Sequence, residues 1–251
     1  MNNIYIYNDT FISLLNLIDY LIKNNVKPYN IKNNLYSPTL FENIINLNIY
    51  NNNSIIDLVI KNTSITIFNI IYNVFLSDNV NKEIIIYYFY KNSIKYKNTI
   101  LYNYKLKCVT EALKISKYVS RENHKFKGFT RFKELENKVL YAEINPTNNI
   151  IFLLSHHFKN RLRNEYWIIK DMNRKIFSIY NKNDFIILHE NEFNINCSIS
   201  KDEIEIENLW KVFYKSIGIE SRKNDLCRMN FMPKKYWKYI LEMSDEYEKS
   251  N

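Results

Sequence analysis

Glycine is almost missing from this chain of 251 residues: there are two, Gly128 and Gly218. That scarcity removes whole classes of chemistry, because a Walker A loop, a GxGxxG dinucleotide turn and a GxSxG nucleophile elbow all need glycines at fixed spacing. HExxH is absent as well. Cysteine is scarce and odd in number (Cys108, Cys197 and Cys227, with no CxxC pair), which excludes a disulfide framework and a zinc knuckle and leaves reduced thiols as the expectation. No metal site and no cofactor are therefore expected. No apolar run approaches the ~20 residues of a membrane span; the longest, IIIYYFY at 84–90, is far shorter. The opening MNNIYIYNDTF lacks the basic and apolar regions of a secretory signal, so a cytoplasmic location with no membrane partner is expected.

What is present is an ordinary globular balance with a basic surplus. Hydrophobic residues make up 46% and charged residues 24%, enough apolar material for one large domain or two packed lobes. Lysine and arginine outnumber aspartate and glutamate by 35 to 26, giving a net charge of +9. A field of that sign attracts polyanions, whether nucleic acid or an anionic surface. The abundance of Asn, Ile, Lys and Tyr reads as codon bias and carries no functional weight.

Hydrophobic spacing divides the chain. IYIY at 4–7 alternates as a strand does and leads, through Asp9 or Thr10 as a cap, into a helix with Phe11, Leu14, Leu15, Ile18 and Ile22 on one face. Residues 24–54, with Pro28 and Pro38, read as a long connection with a short helix near FENIINL. A strand is expected at 55–60, then helices over 67–75, 80–95 and 105–122. Beyond 122 the period shortens: FKGFTRFKEL and KVLYAEINP read as a hairpin, IIFLLSHHFKNRL as a helix, and YWIIKDMN, RKIFSIYN and DFIILHE as a meander of strands. Helices return through LWKVFYKSIGI, near 222–228, and after Pro233. The fold class is α+β, with a helical N-terminal half and an antiparallel β-sheet flanked by C-terminal helices. The whole of 1–251 is expected as a single domain, or as two packed lobes with limits at 1–122 and 123–251.

HKFKGFTRF, 124–132, places one of the two glycines among bases and aromatics. As a strand it would set Lys125, Lys127, Phe129 and Arg131 on one face, cations around a ring on which a base can stack. Gly128 would then mark a bulge or the close approach of a ligand. The alternative is a solvated strand face. His157 and Arg161, four apart on a helix, offer a second basic turn, and His124 can join them; simple helix-end charge is the competing account.

The segments ENHKFKGFTRF, VLYAEINPTNNIIFLLSHHFKNRL, EYWIIKDMNRKIFSIY, LWKVFYKSIGIESRKN and FMPKKYWKYI occur in an order that resembles the bacterial family labelled "probable DNA metabolism protein", over about residues 110–242. The resemblance implies a DNA-repair or DNA-modification setting. It implies a partner too, a radical SAM DNA repair protein, since the family accompanies such enzymes and its domain looks fused elsewhere to a uracil-DNA glycosylase-like domain. It supplies no catalytic residue. This chain has no CxxxCxxC cluster, so radical SAM chemistry would belong to the partner.

The leading expectation is a DNA-binding accessory protein acting with that enzyme through His124, Lys125, Lys127, Gly128, Phe129, Arg131, His157 and Arg161. A second is a nucleic-acid-processing enzyme, with Glu143 and Asp171 on neighbouring strands and a histidine such as His156 as acid and base. Each of those carboxylates can equally be a structural acid paired with Lys170 or Arg174. A protein-interaction module is the third.

Overall fold

The computed structural model describes residues 2–47, 49–193 and 198–244, with the backbone alone for Glu220; Cys197 lies outside the described residues. Two compact units divide at Ser120 and Arg121.

The first unit opens with β1 (Asn2–Tyr7), which leads into α1 (Phe11–Lys23) through an N-cap in which the Thr10 hydroxyl accepts from the Ser13 amide at 3.2 Å. The stretch expected as a loop instead supplies two strands, β2 (Asn30–Asn33) and β3 (Glu42–Asn46). Both pair parallel to β1, in the order β2-β1-β3. FENIINL is thus strand rather than helix: Ile44 and Ile45 are β-branched and stand in register with Ile4 and Tyr5. The strand expected at 55–60 is instead helix α2 (Ile55–Asn62), whose Ile55 and Val59, four apart, are its buried residues. The helices α3 (Ile65–Leu76) and α4 (Lys82–Tyr96) follow as their periodicity indicates. Leu14, Ile18, Ile71, Val74 and Phe89 are among the residues of one fully enclosed core in this unit.

Helix α5 (Lys107–Phe129) carries a further correction. The FKGF segment is the end of this helix and not a strand. Phe126 and Phe129, three apart, fall on one helical face and pack on Tyr236 with centroids 5.2 and 5.4 Å away. The helix closes at Thr130, whose amide and hydroxyl both donate to the Phe126 carbonyl. Burying Phe126 and fixing Phe129 against that ring outweighs local alternation; a buried phenylalanine alone contributes about 1.5–3 kcal/mol.

The second unit is built on a five-stranded sheet: β4 (Lys133–Glu134), β5 (Leu140–Ile144), β6 (Trp167–Asp171), β7 (Ile176–Tyr180) and β8 (Phe185–His189), in that order. Three of the four strand contacts are antiparallel. The exception is the β5–β6 contact, which is parallel because α6 (Ile151–Arg161) crosses over between them. Helix α6 covers one face, where Ser155 donates to Ser178 at 2.7 Å and Phe132 packs on both Phe158 and the fully buried Trp167. Helix α7 (Lys201–Ile217), capped by Ser200, and α8 (Asp225–Phe231) follow, and a 3-10 turn, Lys234–Tyr239, starts after Pro233. The architecture is α+β with a helical N-terminal half and a sheet followed by C-terminal helices.

Candidate nucleic-acid interface

The register of the second sheet sorts its polar residues by face. Glu143 pairs with Lys170, and Lys170 with Phe177, so Tyr141, Glu143, Lys170 and Phe177 stand together on the face opposite α6. Asp171 belongs to the other face. Glu143 and Asp171 therefore do not share a pocket, and His156 is near neither: its ring lies edge-on to Phe152 and Phe185, at 4.8 and 5.2 Å. Asp171 is fully buried and accepts from the Asn173 and Arg174 amides, with the Arg174 guanidinium 3.1 Å away. Burial pushes its carboxyl up while Arg174 opposes the shift. This is a carboxylate that holds the β6–β7 turn.

Over the Glu143 face lies a cleft of about 550 Å³. Its floor is Tyr141, Glu143, Lys170 and Phe177. Glu207 and Lys211 of α7 line it from one side, Lys238, Tyr239 and Leu241 from the closing segment, and Arg131 and Lys133 at the β4 end. The Tyr141 hydroxyl donates to Glu143 Oε1 at 3.0 Å. Burial, with the Glu143 charge adding to it, pushes the Tyr141 hydroxyl well above the ordinary tyrosine range, so it is a donor at neutral pH. Lys170 is held 2.7 Å from Glu190, Lys133 2.9 Å from Glu207 and Arg131 2.9 Å from Glu203. Five cations line the cleft, and the carboxylates among them or paired to them are Glu143, Glu190, Glu203 and Glu207.

The helical path of residues 124–129 rearranges the surface expected there. Lys125 and Lys127, two apart on a helix, point about 200° apart and share no face. Lys125 sits over the Tyr236 ring at 5.8 Å, and Lys235 lies over the same ring at 4.8 Å. Thus the end of α5 and the closing FMPKKYWKYI segment meet around one aromatic, which is itself buried and offers no exposed stacking surface. Lys235 is also 3.4 Å from Glu122, a buried carboxylate that accepts from the Thr147 and Asn148 amides. In a turn of three residues, Lys235 and Lys238 project from the same side. Lys127 and Arg161 both act on His157, whose pKa is lowered mainly by burial and then by these two charges. That histidine is therefore neutral at pH 7. His124 and Gly128 lie exposed one helical turn apart, Phe129 is committed to Tyr236, and Arg131 to Glu203.

The expected cations thus fall into two groups: Lys127 and Arg161 beside His157, and Lys125 with Lys235 on Tyr236, one 3-10 turn from Lys238 at the cleft. Lys238, Tyr239, Tyr141 and Lys211 were not identified as site residues by sequence reasoning. The period-two spacing of Tyr141 and Glu143 signals a shared face, but only register shows what stands beside it.

Among the described residues no three His, Cys, Asp or Glu side chains converge as a metal site, and no helix is long and apolar enough to cross a membrane. No curated protein and no solved structure matches the chain. A family model does match: the Domain of unknown function DUF4130 spans residues 80–242, well over half of the chain, and the protein belongs to that family.

Proposed function

We propose that this protein is a DNA-binding accessory factor in DNA repair or modification that works beside a radical SAM enzyme. One observation carries the binding half of this reading: α5 and the closing segment bring Lys125 and Lys235 onto the Tyr236 ring, with Lys238 one 3-10 turn on at the cleft, while Lys127 and Arg161 form a second basic group at His157. Cations fixed on packed elements release counterions from a phosphate backbone on contact. The net charge of +9 supplies the longer-range attraction. The repair setting and the radical SAM partner rest on the family resemblance of the C-terminal motifs.

The test is DNA affinity as a function of salt for the intact protein and for Lys127→Ala with Arg161→Ala. Log K should fall by about 0.9 per neutralised phosphate on duplex, or about 0.7 on single strands, and the double variant should flatten that slope by one to two such increments. An unchanged slope removes Lys127 and Arg161 from the interface. Pull-down with the co-expressed radical SAM protein tests the partner separately.

A second reading, a nucleic-acid enzyme, is supported by the Tyr141–Glu143 hydrogen bond inside the cleft. Turnover of damaged DNA by the purified chain, abolished in Glu143→Gln with binding intact, would establish it.

A further inference from the structure

We infer that the cleft above Tyr141 and Glu143 receives one unpaired nucleotide of a DNA strand, so that the protein prefers single-stranded or locally opened DNA to intact duplex. The inference rests on the DNA-binding reading above and adds strand preference to it.

Size is the first argument. A cavity of about 550 Å³ lies within the range that encloses a ligand of one nucleotide's bulk. Chemistry is the second. Tyr141 and Tyr239 are half-buried rings that line the cleft, a chemistry suited to stacking on a base, and Lys238, 5.6 Å from the Tyr239 ring centroid, is exposed at the rim for the attached phosphate. Glu143 carries Oε2 beyond the oxygen that Tyr141 engages, an acceptor for the N–H edge of a base that pairing would otherwise occupy. The floor is a sheet strand on which Tyr141 and Glu143 are locked by their own hydrogen bond, so the acceptor is preorganised. Finally, Lys125 and Lys235 on Tyr236 lie one 3-10 turn from Lys238 at the cleft. A strand held by these lysines is therefore led to the opening.

The experiment is competition binding to the full-length protein at one fixed salt concentration, using an unlabelled 12-nucleotide single strand, the blunt duplex of the same sequence, and a free deoxynucleoside monophosphate. The single strand should compete at least tenfold better than the duplex. Tyr239→Leu should weaken single-strand binding about 5- to 100-fold and duplex binding less than twofold. Lys238→Ala, at an exposed position, should weaken single-strand binding more than duplex binding. Competition by the monophosphate alone at equal strength would mean that the cleft takes free nucleotides, and overturns the strand assignment. Equal affinity for duplex and single strand, or an equal loss of both in Tyr239→Leu, also overturns it while leaving the DNA-binding reading intact. If no DNA competes, that reading falls together with this one.

Discussion

Replacing Gly128 with alanine should make the protein more stable, which is an uncommon outcome for a residue that is one of only two of its kind. Glycines usually hold their place through positive φ or through lack of room for a Cβ. Neither applies here, since neither glycine has positive φ and a Cβ built on Gly128 meets nothing within 4 Å. What remains is the intrinsic cost of glycine inside a helix, about 0.5–1 kcal/mol relative to alanine, reduced toward the lower value because Gly128 lies in the last turn of α5. A gain of that size raises Tm by about 1 to 4 °C for a unit of this size. Differential scanning calorimetry of Gly128→Ala against the parent measures it. A lowered Tm would show that the segment is not helical, and the assignment of residues 124–129 to α5 would fall with it. The same variant informs on function. If stability rises while DNA affinity drops, the bare helix surface beside His124 is a point of close approach for a strand; if affinity is unchanged, Gly128 lies outside the interface.

Two further outcomes follow from the buried charges. Asp171→Ala should destabilise the protein by about 3 kcal/mol, because it leaves the Arg174 guanidinium without its carboxylate and two turn amides without an acceptor. Urea denaturation reads this, and Glu143→Gln, on a half-buried side chain of the cleft, should move the midpoint far less. His157 gives a pH dependence whose sign is fixed. Its pKa is lowered in the folded state, so the unfolded chain takes up the proton first, and stability present above about pH 6.5 is lost as pH falls toward the folded value. Comparing urea midpoints at pH 7.5 and 5.5, the parent should lose more than His157→Gln.

The sequence was most legible where one period ran unopposed. The helices at 65–76, 82–96, 151–161 and 201–217 and the meander of β6, β7 and β8 each follow from spacing and turn residues. It misled where a short segment satisfied two periods at once. IIDLVI is continuous enough for a strand, yet Ile55 and Val59 obey a helix; KFKGFTRF alternates, yet Phe126 and Phe129 keep helical spacing and Tyr236, more than a hundred residues away, decides between them. For the site, charge type was readable and partnership was not. Arg131 looked available until the fold brought Glu203 to 2.9 Å from it, whereas Lys238 stands at the cleft only through the path of the closing segment. The expected pairing of Glu143 with Asp171 failed for a simpler reason. On strands β5 and β6 they stand one register step apart and so on opposite faces.

Why a polar cleft exists at all follows from the orientation of α7. Amphipathic helices normally turn their apolar stripe to the core. In α7 the least exposed positions are Glu203, Glu207, Lys211 and Tyr214, spaced four, four and three, while Ile206, Leu209, Phe213 and Ile217 remain 50–69% exposed. The helix thus shows its charged stripe to its own unit. Its glutamates, with side chains 10% and 16% exposed, meet Arg131 and Lys133, which are 40% and 38% exposed, so the cation side of each pair stays hydrated and each contributes about 1 kcal/mol or less. Pairs that weak can steer α7 into place but cannot replace a dry, close-packed layer between helix and sheet. The space above Tyr141 and Glu143 consequently stays polar, lined by charges that water or an incoming phosphate can solvate, and a hydrophobic ligand would have to strip those charges to enter.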